Sequence, residues 1–326
     1  MNRKLLVILA LLVIALIVAY QSQRWEFDRT LFLSSFKNVH VGWLIASIIT
    51  TFATYALRAV RWQVLLKPLK EIHLEELFSA TLLGFSAIYL LGRPAELVRP
   101  AWVSRRERVP FGASISVIIV ERLLDFMVLV LLFGLTLIVI ELPVSAQAGG
   151  PMGLMKTTAW MMLAGSAGAI VALFFFRSQI DRITAFVPFK RLASLLHNFA
   201  QGLAFLGNAG SFGTVLVHTL MIWILIALQF WFMMLGMHFQ FSIAAATLVM
   251  VFVAIGSIAQ IPGIGGGFQA GFVFCLGTFF SVPAEKAIAA SLIAWIVTYA
   301  PTVGVAALYM LFTGLSLKDL RGLETS

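Results

Sequence analysis

The long apolar runs of this chain constrain its fold more than any other feature. Residues 5–20 read LLVILALLVIALIVAY, and comparable runs recur along the whole chain, whereas a buried strand needs only about 4 to 8 apolar residues. Apolar residues make up 61% of the chain and charged residues only 11%, against roughly 25% charged residues in a soluble domain. The sequence therefore predicts an all-α polytopic membrane protein and excludes a soluble globular one.

The apolar stretches define the predicted membrane segments. After the first run they cover residues 41–57, 77–91, 111–140, 157–176, 213–236, 243–261, 268–282 and 287–313. We predict one membrane domain over residues 1–326, with about six full spans and two re-entrant hairpins, or about eight to nine membrane segments. Residues 5–20 fit either a signal peptide or a short helix, and we expect a retained first helix over 1–20 because no small-x-small cleavage site follows.

The positive charges are distributed unevenly between the two sides of these segments. With the N-terminus in the cytoplasm, 17 of the 23 lysines and arginines lie on the cytoplasmic side and 5 on the other side. This asymmetry predicts a bacterial inner-membrane protein with both termini in the cytoplasm. Topology and attraction to anionic lipid headgroups then explain the net charge of +9, so we expect no nucleic-acid partner.

Glycine and proline break two of the apolar segments. In the first, 77–104, the apolar remainder after LGRPAE is too short to cross about 30 Å of hydrocarbon, so we predict a re-entrant hairpin. The second, 243–282, contains IPGIGGG and is either another hairpin or two crossings joined by a glycine loop. We favour the hairpin because irregular backbone at membrane depth is tolerated only where it lines protein or a cavity. The amides of its glycines can bind an anion such as a phosphate.

The two broken segments also suggest an internal repeat. An offset of 173 residues aligns Gly92 with Gly265, Glu96 with Gln269 and Pro110 with Pro283. Each predicted unit, 41–140 and 213–313, contains a span, a broken hairpin and a second span, and the number of preceding crossings places the two hairpins on opposite sides. This predicts an inverted-topology repeat whose broken elements meet near the midplane and form a transport site.

Three charged residues lie within one predicted span. Each charge at the centre of a membrane helix costs roughly 2.5 to 3.5 kcal/mol, so Glu121, Arg122 and Asp125 require partners or a wet cavity. Either the arginines of this region bind an anionic headgroup while the carboxylates orient them or relay protons, or these residues form internal salt bridges. The candidate substrate-binding residues are Arg93, Glu96, Arg99, Glu121, Arg122, Asp125, Gly263, Gly265 and Gln269.

A further basic and aromatic group follows the span at 41–57. We expect Arg58, Arg61 and Trp62 to lie at a helix end on the cytoplasmic face, where snorkelling and aromatic anchoring explain them better than specific lipid binding does.

Motifs of catalysis and metal binding are missing from the sequence. The five histidines have no HxxxH or HExxH spacing, and the single cysteine, Cys275, lies in an apolar run. No Gly-x-Ser-x-Gly elbow is present, and no hydrophilic stretch is long enough for a soluble catalytic domain. We therefore expect no metal, no cofactor and no enzymatic activity.

Four short motifs in one order resemble the lysylphosphatidylglycerol synthase transmembrane family, from about residue 40 to near the end of the chain. The motifs are Arg58-Ala-Val-Arg61-Trp62, Gly92-Arg93-Pro94-Ala95-Glu96-Leu97-Val98-Arg99, Glu121-Arg122-Leu123-Leu124-Asp125 and Pro262-Gly263-Ile264-Gly265. The resemblance implies a flippase-like inner-membrane domain that moves modified or isoprenoid-type lipids. The soluble aminoacyl transferase domain of longer family members is absent from the sequence, so we do not expect synthesis of aminoacylated lipid.

Two functions from different classes follow. The first is a flippase-like transporter of an anionic or isoprenoid-type lipid, whose partners are membrane lipids; it predicts a polar groove at Arg93, Glu96 and Arg122. The alternative is a non-transporting scaffold or accessory subunit of a lipid- or glycan-assembly enzyme, which predicts fully paired charges and no groove. We favour the transporter because broken helices are typical of transport sites.

Overall fold

The structure is a computed structural model that describes residues 27–37, 39–140, 152–185 and 209–314. The predicted first helix over 1–20 and both chain termini lie outside these residues. The described chain is almost wholly helical, so the predicted all-α polytopic fold is confirmed. The helices are α1 (Arg29–Lys37), α2 (Val41–Leu66), α3 (Leu74–Leu91), α4 (Val98–Glu107), α5 (Phe111–Val139), α6 (Met152–Ala185), α7 (Ala209–Gly236), α8 (Ile243–Gly256), α9 (Gly267–Phe280) and α10 (Ala284–Thr313).

Short irregular elements connect some of these helices. A 3-10 turn at Arg93–Leu97 joins α3 to α4, and another at Ser257–Ala259 follows α8. Two two-residue strands, β1 (Gln260–Ile261) and β2 (Gly265–Gly266), then pair antiparallel before α9 begins. Helical backbone satisfies its own hydrogen bonds in lipid, so these breaks need other partners.

Five of the described helices are long and apolar enough to cross a membrane: α2, α3, α5, most of α7, and α10. The predicted segment 157–176 lies within α6, which packs against α5. Helices α2 and α7 pack along each other, and the backbone amide of His40 donates to the carbonyl of Gly236 at 2.8 Å. The N-terminal end of α2 therefore lies beside the C-terminal end of α7.

Helices α3 and α4 with the turn between them form a hairpin, hairpin A (residues 74–107). Its two ends lie side by side, because Arg106 pairs with Glu76 at 3.1 Å and Lys70 pairs with Glu107 at 2.8 Å. The chain reverses at Gly92, whose φ of 85° lies in the region that glycine adopts without strain. Residues 77–104 therefore lie in a helical hairpin, and its re-entry on one side of the membrane stays a prediction.

Helices α8 and α9 form hairpin B (residues 243–280). Each has 14 residues and is about 21 Å long, short of the roughly 30 Å of hydrocarbon in a bilayer. At the base, the rings of Phe241 and Phe280 lie 4.5 Å apart between centroids. The structure therefore favours a hairpin over two full crossings for residues 243–282.

The two hairpins begin at opposite ends of α2. Gln63, near the C-terminal end of α2, donates to the carbonyl of Ile72 at 2.8 Å, immediately before hairpin A begins. Hairpin B follows the loop after Gly236, which lies at the N-terminal end of α2. The hairpins therefore enter the helix bundle from opposite directions.

The offset of 173 residues recurs in the geometry. Gly92 and Gly265 both have positive φ, at 85° and 94°. Pro110 and Pro283 both immediately precede a long helix, and α10 begins at Ala284, 173 residues after α5 begins at Phe111. The boundaries of the repeat units, 41–140 and 213–313, stay predictions.

Candidate functional site

The tips of the two hairpins contact each other. The amide of Gly263 donates to the carbonyl of Tyr89 at 2.9 Å, and Pro262 packs against Gly92. Arg93 donates from Nε and Nη2 to the carbonyl of Ser257, at 3.0 and 2.7 Å. These contacts satisfy backbone groups that the helix breaks leave unpaired, and they bring together the two segments that the sequence predicted to meet.

A cavity of about 200 Å³ lies at this junction. Its wall comes from α2, α3, α5, α7, α10 and both hairpin tips. The charged, hydroxyl and amide side chains on it are Thr51, Thr54, Tyr55, Arg58, Tyr89, Arg93, Glu96, Arg122, Gln229, Ser257, Gln260 and Thr298. Apolar and aromatic side chains, among them Phe85, Trp223, Phe230, Phe268 and Trp295, make up most of the remaining wall.

A larger pocket, of about 720 Å³, lies between α1 and the start of α10 and is lined by Lys37, His40, His238 and Lys286. None of its lining residues belongs to either hairpin tip. The central cavity is the better candidate because broken backbone and intramembrane charges converge on it.

Behind the cavity lies an ion cluster centred on Arg61. Its guanidinium donates to Glu121 Oε1 and to Asp125 Oδ1, each at 2.6 Å, and the Arg61 and Glu121 side chains are wholly buried. A third bond reaches the hydroxyl of Thr219 on α7 at 3.1 Å. Arg61 therefore ties α2 to α5 and α7.

The expectation that Arg58, Arg61 and Trp62 anchor a helix end is wrong. Helix α2 continues to Leu66, and all three side chains are buried within the bundle. Because α2 packs against α5 and α7, the carboxylates of α5 replace water as partners for Arg58 and Arg61.

Two other arginines contact the same carboxylates at longer distances. Arg58 Nη1 lies 3.3 Å from Asp125 Oδ2 and 3.7 Å from Glu121 Oε1. Arg122 Nη2 lies 3.4 Å from Glu121 Oε1 and 3.6 Å from Asp125 Oδ2, and its side chain is 37% exposed. Both arginines line the cavity.

Arg99 joins the cluster from hairpin A. Its guanidinium donates to Glu121 at 3.3 Å and lies 4.4 Å from the centre of a Trp62 ring. Gly84 makes room for it, because a β-carbon at that position would overlap the Arg99 side chain. Arg99 is buried behind the cavity and does not line it.

The structure separates the nine predicted site residues into three groups. Arg93, Glu96 and Arg122 line the cavity, and Arg93 also pairs with Glu96 at 2.7 Å. Arg99, Glu121 and Asp125 form the cluster behind it. The third group consists of Gly263, Gly265 and Gln269, which shape the loop at the tip of hairpin B.

The glycine loop does not contribute to the cavity wall. The Gly263 amide is engaged with Tyr89, and Gln269 Nε2 donates to the carbonyl of Ile264 at 2.9 Å. The Gly263 amide therefore closes the contact between the hairpins, and anion binding by the other glycine amides of this loop stays a prediction.

The sequence patterns did not identify several residues of the site. Trp223 on α7 donates from Nε1 to Asp125 at 3.3 Å. The ring of Tyr89 stands edge-on to Trp295 at 5.5 Å between centroids. With aromatic residues at 13% of the chain, nothing in their spacing distinguishes these two from core residues.

The side chains at the cavity are of types that can bind an anion. Arginine forks, hydroxyls and aromatic faces surround the cavity. Among the residues that the structure describes, no group of three histidine, cysteine, aspartate or glutamate side chains could hold a metal ion.

Comparison with known proteins points to one family. A family model described as the lysylphosphatidylglycerol synthase TM region matches residues 7–306. No curated protein and no solved structure matches the chain. The matched region covers the two hairpins, the cavity and the ion cluster.

Proposed function

Because the chain belongs to the lysylphosphatidylglycerol synthase transmembrane family, a family of membrane proteins of lipid metabolism or transport, we propose that it moves an anionic or isoprenoid-type lipid across the bacterial inner membrane. One observation supports this most directly. Two broken hairpins that enter from opposite ends of the bundle meet at a cavity lined by Arg58, Arg93 and Arg122.

The architecture fits a translocation pathway. Broken helices at membrane depth persist where they line a cavity, and in secondary transporters they hold the substrate between two inverted elements. A polar headgroup could occupy the central cavity, where arginine forks replace its hydration, while the apolar tails remain in the bilayer. Opening first beside one hairpin and then beside the other would expose the headgroup to each leaflet in turn.

The role needs no catalysis, and we propose that the chain is not an enzyme. It also needs no nucleotide: a gradient or downhill lipid flow suffices. In this proposal both termini are cytoplasmic, as the charge asymmetry predicts.

The alternative, a non-transporting scaffold or accessory subunit of a lipid- or glycan-assembly enzyme, predicts fully paired charges without a groove. The 2.6 Å bonds of Arg61 favour such a structural role for that residue alone. The cavity and the long contacts of Arg58 and Arg122 favour transport.

Lipid translocation in reconstituted liposomes tests this proposal. We expect the protein to move a fluorescent anionic lipid at a rate well above that of empty liposomes, as measured by chemical quenching of the outer leaflet. Arg122→Gln should lower the rate at least tenfold, because it removes a cavity-lining guanidinium. Lys67→Gln, which removes an exposed cation immediately after the helix that carries Arg58 and Arg61, is the matched control and should transport normally. A wild-type rate equal to that of empty liposomes would favour the scaffold.

A further inference from the structure

The ion cluster beside the cavity contains more positive than negative charge. Four arginines, Arg58, Arg61, Arg99 and Arg122, surround only two carboxylates, Glu121 and Asp125. Arg93 does not alter the balance, because Glu96 neutralises it at 2.7 Å. Arginine stays protonated in proteins, so the cluster has a net charge of +2.

The surplus charge faces the cavity. Arg61 and Arg99, which do not line the cavity, offset the charge of the two carboxylates, and Arg61 does so through its two 2.6 Å bonds. Arg58 and Arg122 remain on the cavity wall with contacts of 3.3 to 3.7 Å. Two guanidiniums are therefore available to a ligand.

Uncompensated charge is costly in this setting. A buried charge without a partner destabilises the folded protein strongly. Charged residues inside a membrane therefore normally pair with one another or face a binding site. An anion in the cavity with about two negative charges would neutralise the cluster. An anion with a single negative charge would neutralise only half of the cluster's surplus positive charge.

From this balance we infer that the cavity binds its ligand through a doubly charged phosphate, that is, a phosphomonoester or a diphosphate, in preference to a phosphodiester. The inference rests on the proposed function and deepens it, because it names the headgroup class. A phosphomonoester has a charge of about −1.5 to −2 at pH 7 and three strong acceptor oxygens, whereas a phosphodiester has only one negative charge. Arg58 and Arg122 can each donate two parallel hydrogen bonds to such a group.

Native mass spectrometry of the delipidated full chain tests the inference. The probes are phosphatidate, a monoester, and phosphatidylglycerol, a diester, with identical acyl chains, at pH 8. We expect phosphatidate to be retained at least tenfold more strongly. Arg58→Gln and Arg122→Gln should each abolish this preference, and Lys67→Gln should keep it.

Competition with inorganic phosphate shows whether the site recognises a lipid headgroup or a free phosphate. If an equal concentration displaces phosphatidate, the site recognises the phosphate alone, and the charge inference stands without the lipid. If a hundredfold excess does not displace it, the site recognises the lipid phosphate, which supports both proposals. Equal retention of phosphatidate and phosphatidylglycerol by the wild type overturns the charge inference, although translocation of either lipid would still support the proposed function.

Thermal unfolding controls for a purely structural role of Arg122. Lipid-free Arg122→Gln should unfold at or above the wild-type midpoint, because it removes part of the surplus charge, and phosphatidate should raise only the wild-type midpoint. A variant that no longer folds would show that Arg122 holds the cluster together and would overturn its role as a ligand. The wild-type lipid comparison requires no variant and decides the headgroup class by itself.

Discussion

At the scale of single residues, the ion cluster divides four arginines between two tasks. Arg61 makes short bonds to Glu121 and Asp125, and Arg99 is held between Glu121 and Trp62. Arg58 and Arg122 make only long contacts and face the cavity. Geometry rather than residue type therefore distinguishes the arginines that hold the helices together from those that line the cavity.

The substitution Arg61→Gln should destabilise the folded protein by about 3 to 5 kcal/mol, because it leaves two buried carboxylates without their main counter-ion. Resistance to unfolding in detergent measures this loss. Lys67→Gln is the control, since its partner Glu71 is exposed to solvent and exposed pairs contribute little. Wild-type stability of Arg61→Gln would show that Arg58 can replace Arg61.

The sequence indicated Glu121, Arg122 and Asp125 as candidate site residues because charged residues are rare inside an apolar run. It misplaced Arg58 and Arg61, because a charged residue at the end of an apolar run is usually a sign that the span has ended. Only the position of α5 against α2 shows that the helix continues and that these arginines are buried.

At the scale of elements, the close packing of the two helices of hairpin B depends on glycine. Gly267 and Gly271, spaced as in a GxxxG motif, lie against the backbone of α8 at Gly256 and Phe252. Small residues at this spacing let membrane helices approach closely and gain van der Waals contact. The short hairpin therefore has a rigid, tightly packed stem that can hold its tip against hairpin A.

Replacing Gly271 with leucine should separate the two helices of hairpin B, since even a β-carbon at this position would overlap the carbonyl oxygen of Phe252. We expect a loss of about 1 to 3 kcal/mol, as for other overpacked sites, and a lower thermal midpoint in detergent. Gly277→Leu is the matched control on the same helix, because a β-carbon there meets no atom within 4 Å. Equal midpoints for the two variants would contradict the close packing of α8 on α9.

At the scale of the whole molecule, the two hairpins enter from opposite ends and meet at the cavity. The end of hairpin A is marked by the Arg106 to Glu76 pair, and the end of hairpin B by the contact of Phe241 with Phe280. In the proposed function, the cavity would open beside one hairpin and then beside the other, as alternating access requires.

Cysteine labelling tests this arrangement in the intact membrane. Cys275 is buried, so Cys275→Ala provides a background in which single cysteines can be introduced. Glu71→Cys, which precedes hairpin A, and Arg105→Cys, which lies near its C-terminal end, should react with an impermeant reagent from the same side. Gln240→Cys and Ser281→Cys, which flank hairpin B, should react from the opposite side. Labelling of Glu71→Cys and Arg105→Cys from opposite sides would mean that hairpin A crosses the membrane.

The sequence by itself determined the class of this protein, the approximate positions of its long apolar helices and the two breaks among them. These features are local, because a chain in lipid must satisfy its backbone hydrogen bonds within each segment and because glycine and proline interrupt that pattern. Only the tertiary structure decided which arginine neutralises which carboxylate and which faces the cavity. Arg61 lies on α2 and Glu121 on α5, and their contact depends on how the helices pack, which no local pattern records.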